Sequence, residues 1–132
     1  MNSKTKFACI DIGLKRIGIA ICLSSCIVTP YQAIIRKNRN QASKDLDEFL
    51  KNWEIDTLIV WYPSSSEDMQ IRIKHFVNLL KFQGVIIYQE ENMSSIEAKE
   101  IIKGNMKQKR DGRIDSLAAS IILKRYLKLW KL

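Results

Sequence analysis

The apolar positions of this chain follow one period up to about residue 35 and alternate between two periods after it. Residues 6–13 and 16–23, within FACIDIGLKRIGIAICL, are apolar runs joined by a short turn, which predicts two strands in a hairpin. Residues 27–35, IVTPYQAII, predict a third strand, and Pro30, lacking an N–H, predicts an edge position for it. A polar stretch over 36–44 leads into a helix over 42–53, with Leu46, Phe49, Leu50 and Trp53 on one stripe. Residues 57–62, TLIVWY, form a continuous apolar run, the pattern of a strand covered on both faces. A helix over 67–82 follows, turning Ile73, Phe76, Val77 and Leu80 to the core, and then a buried strand over 84–88 that ends in Gln89-Glu90-Glu91. Ser94-Ser95-Ile96-Glu97 is a capping-box pattern, predicting a helix from near 95 to near Gly104. Residues 103–113 read as a mobile basic loop, and a last amphipathic helix is expected from Ile114 to Leu132.

Three strands in a meander, followed by strands that alternate with helices, imply an α/β fold with antiparallel and parallel pairing in one sheet. A length of 132 residues suits one domain, 1–132, with one core. No apolar run reaches the roughly 20 residues that span a bilayer. The N-terminal residues lack the apolar segment of a signal peptide, so a cytoplasmic protein is expected. Cys9 and Cys22 fall inside apolar strands and read as core thiols; a Cys22–Cys26 pair is the weaker alternative, since no further Cys or nearby His completes a zinc set. His75 falls in a helical segment, where a surface or boundary position is expected.

Charge changes the picture. The net charge is +8, and the basic residues cluster, which points to a polyanionic partner and to nucleic acid before membrane. Against that background three acids stand next to apolar structure. Asp11 interrupts the first strand, where an unpaired buried carboxylate costs several kcal/mol. Glu90 and Glu91 end the last strand, and their side chains point to opposite faces, so only one should reach a common site. Asp115 opens the final helix, followed by Ser116, Leu117, Ala118 and Ala119. Gly18 and Ala20 give the second strand a small-sided face, which leaves room either for a ligand or for a helix packed on the sheet. Each acid also has an ordinary reading: a turn acceptor for Asp11, a surface residue for Glu91, a helix N-terminal charge for Asp115. Were the three to converge, their repulsion would call for a divalent cation, and an all-oxygen donor set favours Mg²⁺ or Mn²⁺. A pair of such ions suits phosphodiester hydrolysis.

The segments DIGLKRIGIAI, EENMSSIEA and RIDSLAA, in that order and spacing, resemble the Holliday-junction-resolvase-like YqgF family, also described as maturing pre-16S ribosomal RNA in bacteria. The resemblance covers nearly the whole chain. It implies a ribonuclease-H-like fold with a five-stranded mixed sheet and helices on both faces. It implies catalytic and metal-binding roles for Asp11, for Glu91 (in the position of the glutamate of the family's Asp-Glu-Arg-Leu-Thr-Thr) and for Asp115 (in its Ile-Asp-Ser-Leu-Ala-Ala). Lys15 and Arg16 match the Lys-Arg of the family's first hairpin. The chain departs from the family at Asn92, where an arginine is usual, and at Trp61-Tyr62-Pro63 in place of Gly-Leu-Pro.

The expectation is therefore a Mg²⁺- or Mn²⁺-dependent nuclease acting on structured RNA, foremost an end of ribosomal precursor RNA. Lys15, Arg16, Lys107, Lys109, Arg110 and Arg113 would hold the backbone, ribosomal particles are further expected partners, no membrane partner is expected, and a monomer or weak dimer is expected. A branched-DNA resolvase, which would need a two-fold dimer, and a non-catalytic ribosomal-RNA-binding factor are the alternatives. The Asp-x-Gly hairpin also resembles the phosphate-binding hairpin of sugar and acetate kinases, which need a second domain to close over nucleotide.

Overall fold

Strand β1 (Phe7–Ile12) pairs antiparallel with β2 (Arg16–Cys22), and the turn between them is closed by the Gly13 N–H donating to the Arg16 carbonyl at 2.9 Å. The computed structural model describes residues 5–23, 27–90 and 112–127. Strand β3 (Val28–Ile35) pairs antiparallel with β2, while β4 (Thr57–Tyr62) pairs parallel with β1, and β5 (Val85–Glu90) parallel with β4. The order across the sheet is β3-β2-β1-β4-β5. Pro30 does lie on an edge strand, where its missing N–H breaks no ladder. Strand β5 takes the other edge. The fully buried strand expected over 84–88 is thus only half-buried, and Val85 is 57% exposed.

Alternation along the strands divides the core into two layers. Ala8, Ile10, Ile12, Ile17, Ile19 and Ile21 face helices α1 (Arg39–Asn52) and α2 (Glu67–Val77), together with Leu46, Leu50, Ile73 and Phe76. Cys9, Ala20, Cys22 and Ile59 face the other way, against Ala119, Ile122 and Leu123 of helix α3 (Gly112–Tyr126). The sheet therefore carries helices on both faces. Thr57–Val60 of β4 are buried throughout, which is why that run has no polar alternation.

Helix boundaries differ from the periodic reading for local reasons. Helix α1 starts at Arg39, three residues before the expected 42, because Asn38 caps it: its side chain accepts from the Gln41 N–H at 2.7 Å, and the Gln41 side chain accepts from the Asn38 N–H at 3.3 Å. Helix α2 stops at Val77, not 82; Asn78 caps it, and Leu79 and Leu80 turn out of the helix. Helix α3 begins at Gly112, so Arg113 belongs to its first turn and not to a loop. The helix expected from 95, the run holding Lys107, Lys109 and Arg110, and Cys26 lie outside the described residues. Among the described residues no helix is long and apolar enough to cross a membrane.

Candidate active site

The pleat puts Asp11 on the α3 face of β1, and its partner across the ladder is Gly18 of β2. That glycine is what lets α3 reach the sheet. A Cβ built on Gly18 would lie 2.1 Å from the Asp115 carbonyl oxygen and 2.9 Å from the Asp115 Cβ. Of the two sequence readings of this small face, helix packing is the one the structure shows. The packing carries the first turn of α3, with Asp115 in it, onto the strand beside Asp11.

The packing has an electrostatic consequence for Asp11. Burial, and secondarily the charge of Asp115, raise the Asp11 carboxyl from its ordinary 3.8 to about 7. Burial also pushes the neighbouring Cys9 thiol well above its usual range, with a further contribution from Asp11, so Cys9 stays a protonated core thiol. Asp115 is held by Arg16, whose Nε donates to its Oδ2 at 2.9 Å, with both side chains about a quarter exposed. The sequence reading turns Arg16 toward phosphates; in this structure the acid already occupies one edge of its guanidinium. Lys15, at the turn, is exposed.

Ser116 has a role that its residue type does not announce. The β2–β3 register shifts between Ile17 and Ile19, so two residues of β3, Gln32 and Ala33, stand opposite one of β2, Gly18. At that break the Ser116 Oγ accepts from the Ile19 N–H at 3.2 Å and donates to the Tyr31 carbonyl, replacing a missing rung. Only the register reveals this; a serine in a helix gives no such signal in a sequence. Ser116→Ala is expected to leave a buried donor and acceptor unpaired and to lower stability by about 2–4 kcal/mol, read as a shift in urea midpoint. A shift below about 0.5 kcal/mol, the scale of a neutral surface change, would show that the rung is dispensable.

The third expected acid, Glu91, lies outside the described residues. Its neighbour Glu90 is settled: Ile86 and Tyr88 pack with the α1–α2 layer and Ile87 with the α3 layer, so alternation places Glu90 on the face away from Asp11. Among the described residues no three His, Cys, Asp or Glu side chains form a metal-binding group. The described part of the site is thus two acids from β1 and α3, one of them paired to an arginine. Its donors are all oxygens, which suits Mg²⁺ or Mn²⁺ and not zinc.

A mixed sheet in this order, with helices on both faces and acids from β1 and the last helix at one end, defines a ribonuclease-H-like domain. The chain belongs to the Holliday junction resolvase family RuvX, whose model matches residues 5–129. A relative from Sulfurovum sp. (strain NBC37-1), called "Putative pre-16S rRNA nuclease", is 56% identical over 127 residues, covering 94% of this chain and 99% of that one. A relative of the same name from Sulfurimonas denitrificans is 49% identical over 126 residues, covering 93% and 97%. The crystal structure of the fowlpox virus Holliday junction resolvase superposes with a TM-score of 0.57 at 14% identity, over 96% of this chain and all of that one, a likeness of fold.

Proposed function

We propose that this protein is a metal-dependent nuclease that hydrolyses phosphodiester bonds in structured RNA, processing an end of precursor 16S ribosomal RNA in the cytoplasm. The observation that carries the reading is that α3 packs Asp115 onto the strand beside Asp11, whose carboxyl is raised to about 7 by burial and secondarily by the charge of Asp115. An acid pair of that kind is costly unless a cation is its partner. Bound there, Mg²⁺ or Mn²⁺ supplies charge neutralisation at a phosphate and lowers the pKa of water. Asp11 and Asp115 would hold the ion together with Glu91. Gly18 admits the helix, and Arg16 orients Asp115. Lys15 and the basic residues Lys107, Lys109, Arg110 and Arg113 would hold the RNA backbone, positioning it without reading sequence. The relatives named for pre-16S rRNA favour RNA as the substrate.

The family description and the fowlpox resolvase favour a second reading, resolution of branched DNA by a two-fold dimer. A labelled precursor 16S RNA end and a four-way DNA junction, each incubated with Mg²⁺, Mn²⁺ or EDTA, separate the two. Cutting of the RNA with either ion and not with EDTA is expected. Cutting of the junction alone transfers the protein to the resolvase reading. Cutting of neither, with salt-sensitive RNA binding retained, makes it a docking factor and removes the nuclease.

A further inference from the structure

On the opposite face of the sheet from Asp11, at the same end of β1, a cleft of about 380 Å³ is lined by Gly13 and Leu14 of the hairpin turn, by Arg36 and Arg39, and by Arg72 and His75 of α2. Among the described residues no carboxylate lines it. The two ion pairs among the described residues, Lys6–Glu54 and Arg16–Asp115, leave all three of its arginines without an acidic partner there. Two of the guanidiniums are nevertheless placed. Arg36 donates from Nη1 to the Gly13 carbonyl at 2.6 Å and lies 5.1 Å from the centroid of the Phe76 ring. Arg39 donates from Nη1 to Nδ1 of His75 at 3.1 Å. Burial and the neighbouring Arg39 lower the pKa of Arg36, so like charges have been gathered here with no described anion to offset them. Two apolar side chains at the site, Leu14 and Ile71, are 68% and 62% exposed.

Placed guanidiniums suit a phosphate, which accepts two parallel N–H bonds from one arginine. An exposed apolar rim suits the face of a base or a ribose. The cleft and the acid pair meet at the tip of β1: Asp11 points to one face, Ile12 to the other, and Gly13 lines the cleft. The two residues from Asp11 to Gly13 span only about 7 Å, which an extended strand covers in a few nucleotides.

We propose that this cleft seats a phosphate of a single-stranded RNA segment adjoining the bond at the Asp11–Asp115 site, with Arg36, Arg39 and Arg72 as its donors and Leu14 and Ile71 against the neighbouring base. The inference rests on the nucleic-acid reading above and deepens it: the strand wraps the rim of the sheet at the β1–β2 turn, held on one face and cut on the other.

The test is fluorescence anisotropy with a short labelled single-stranded RNA, in EDTA so that nothing is cut, across a salt series. Arg36 ties down the turn, so the variant is Arg39→Gln with Arg72→Gln. The control is Lys44→Gln with Lys51→Gln on α1, which removes the same charge away from the cleft. The arginine variant is expected to bind about tenfold more weakly, its log–log salt slope smaller by about 0.7 for each phosphate no longer neutralised. The lysine variant is expected to stay within about twofold of wild type, as a loss of long-range field alone would predict. Equal weakening in both variants, or none in the arginine variant, overturns the proposal. So does polyglutamate that binds wild type more tightly than RNA and loses that binding in the arginine variant, which would assign the cleft to an acidic protein. Failure of wild type to cut RNA with Mg²⁺, with the binding pattern intact, refutes the nuclease reading and leaves the cleft standing.

Discussion

Asp11→Asn is expected to reduce metal-dependent cutting of RNA by about a thousandfold or more while leaving RNA binding in EDTA within about twofold. The amide keeps the shape and removes the charge. A bound cation is worth several kcal/mol of transition-state stabilisation, and each 1.4 kcal/mol is about tenfold in rate. The same substitution makes a second prediction that needs no substrate. In metal-free protein the Asp11 carboxyl titrates near 7, against an ordinary 3.8. Below about pH 4 the folded and unfolded chains both hold this proton. Between there and about pH 7 the folded chain holds it and the unfolded chain has released it, so stability falls as pH rises. Above about pH 7 the folded chain carries the full cost of an ionised, poorly hydrated carboxylate beside Asp115, on the order of 2–4 kcal/mol. Asp11→Asn abolishes that cost. The variant should therefore melt several degrees above wild type at pH 8 in EDTA, and the excess should shrink toward pH 4. Adding Mg²⁺ should raise the melting temperature of wild type and not of the variant. Parallel melting curves for the two proteins across this pH range would mean that Asp11 is not held in the environment described.

Gly18→Ala should be among the most damaging single-methyl additions in this protein. The new Cβ would meet the backbone carbonyl of Asp115 at 2.1 Å, and a helix backbone cannot turn aside as a flexible side chain can. Either α3 lifts from β2 or the strand bends. Overpacking of this kind costs about 3 kcal/mol or more, which for a domain of this size lowers Tm by about 10 °C or more. Cutting should fall with it, because lifting α3 carries Asp115 away from Asp11. The Asp11 titration reports the geometry directly: with Asp115 withdrawn and water admitted, its pKa should move back toward the ordinary carboxylate range. A Gly18→Ala protein within about 0.5 kcal/mol of wild type, the range of an innocuous surface change, would show that the helix rests elsewhere.

Much of this architecture is legible in the chain because burial leaves a period. The strands at 7–12, 16–22 and 57–62 fall within a residue or so of where apolar alternation or continuity places them, and Pro30 marks an edge. The differences arise where a local bond outweighs a period. Asn38 and Gln41 read as loop polarity, although together they form the cap that starts α1. Leu79 and Leu80 continue an apolar stripe past the point where Asn78 ends α2. Strand β5 looks buried by composition, yet its place at the sheet's margin follows from strand order, which no single segment encodes. In the site, Asp11 is conspicuous as a charge among apolar residues, and Gly18 opposite it shows that something approaches closely. Ser116 and the arginine cleft are illegible for a different reason. Each exists only once separate parts of the chain are aligned: a register break between β2 and β3 in one case, a hairpin, a strand end and two helices in the other.

The bond from Arg16 to Asp115 joins residues 99 apart, and the hydroxyl of Ser116 reaches back 97 residues to Ile19 and 85 to Tyr31. A chain emerges from the ribosome N-terminus first, and its early segments can order before the late ones exist. Strands β1 to β3 are complete by Ile35, but the helix that supplies the second acid and closes the break in their ladder is synthesised some 75 or more residues after them. A nascent chain therefore carries Asp11 without its counterpart. Asp115 arrives only when α3 docks, so a protein proposed to cut ribosomal RNA is unarmed on the ribosome until that helix has emerged.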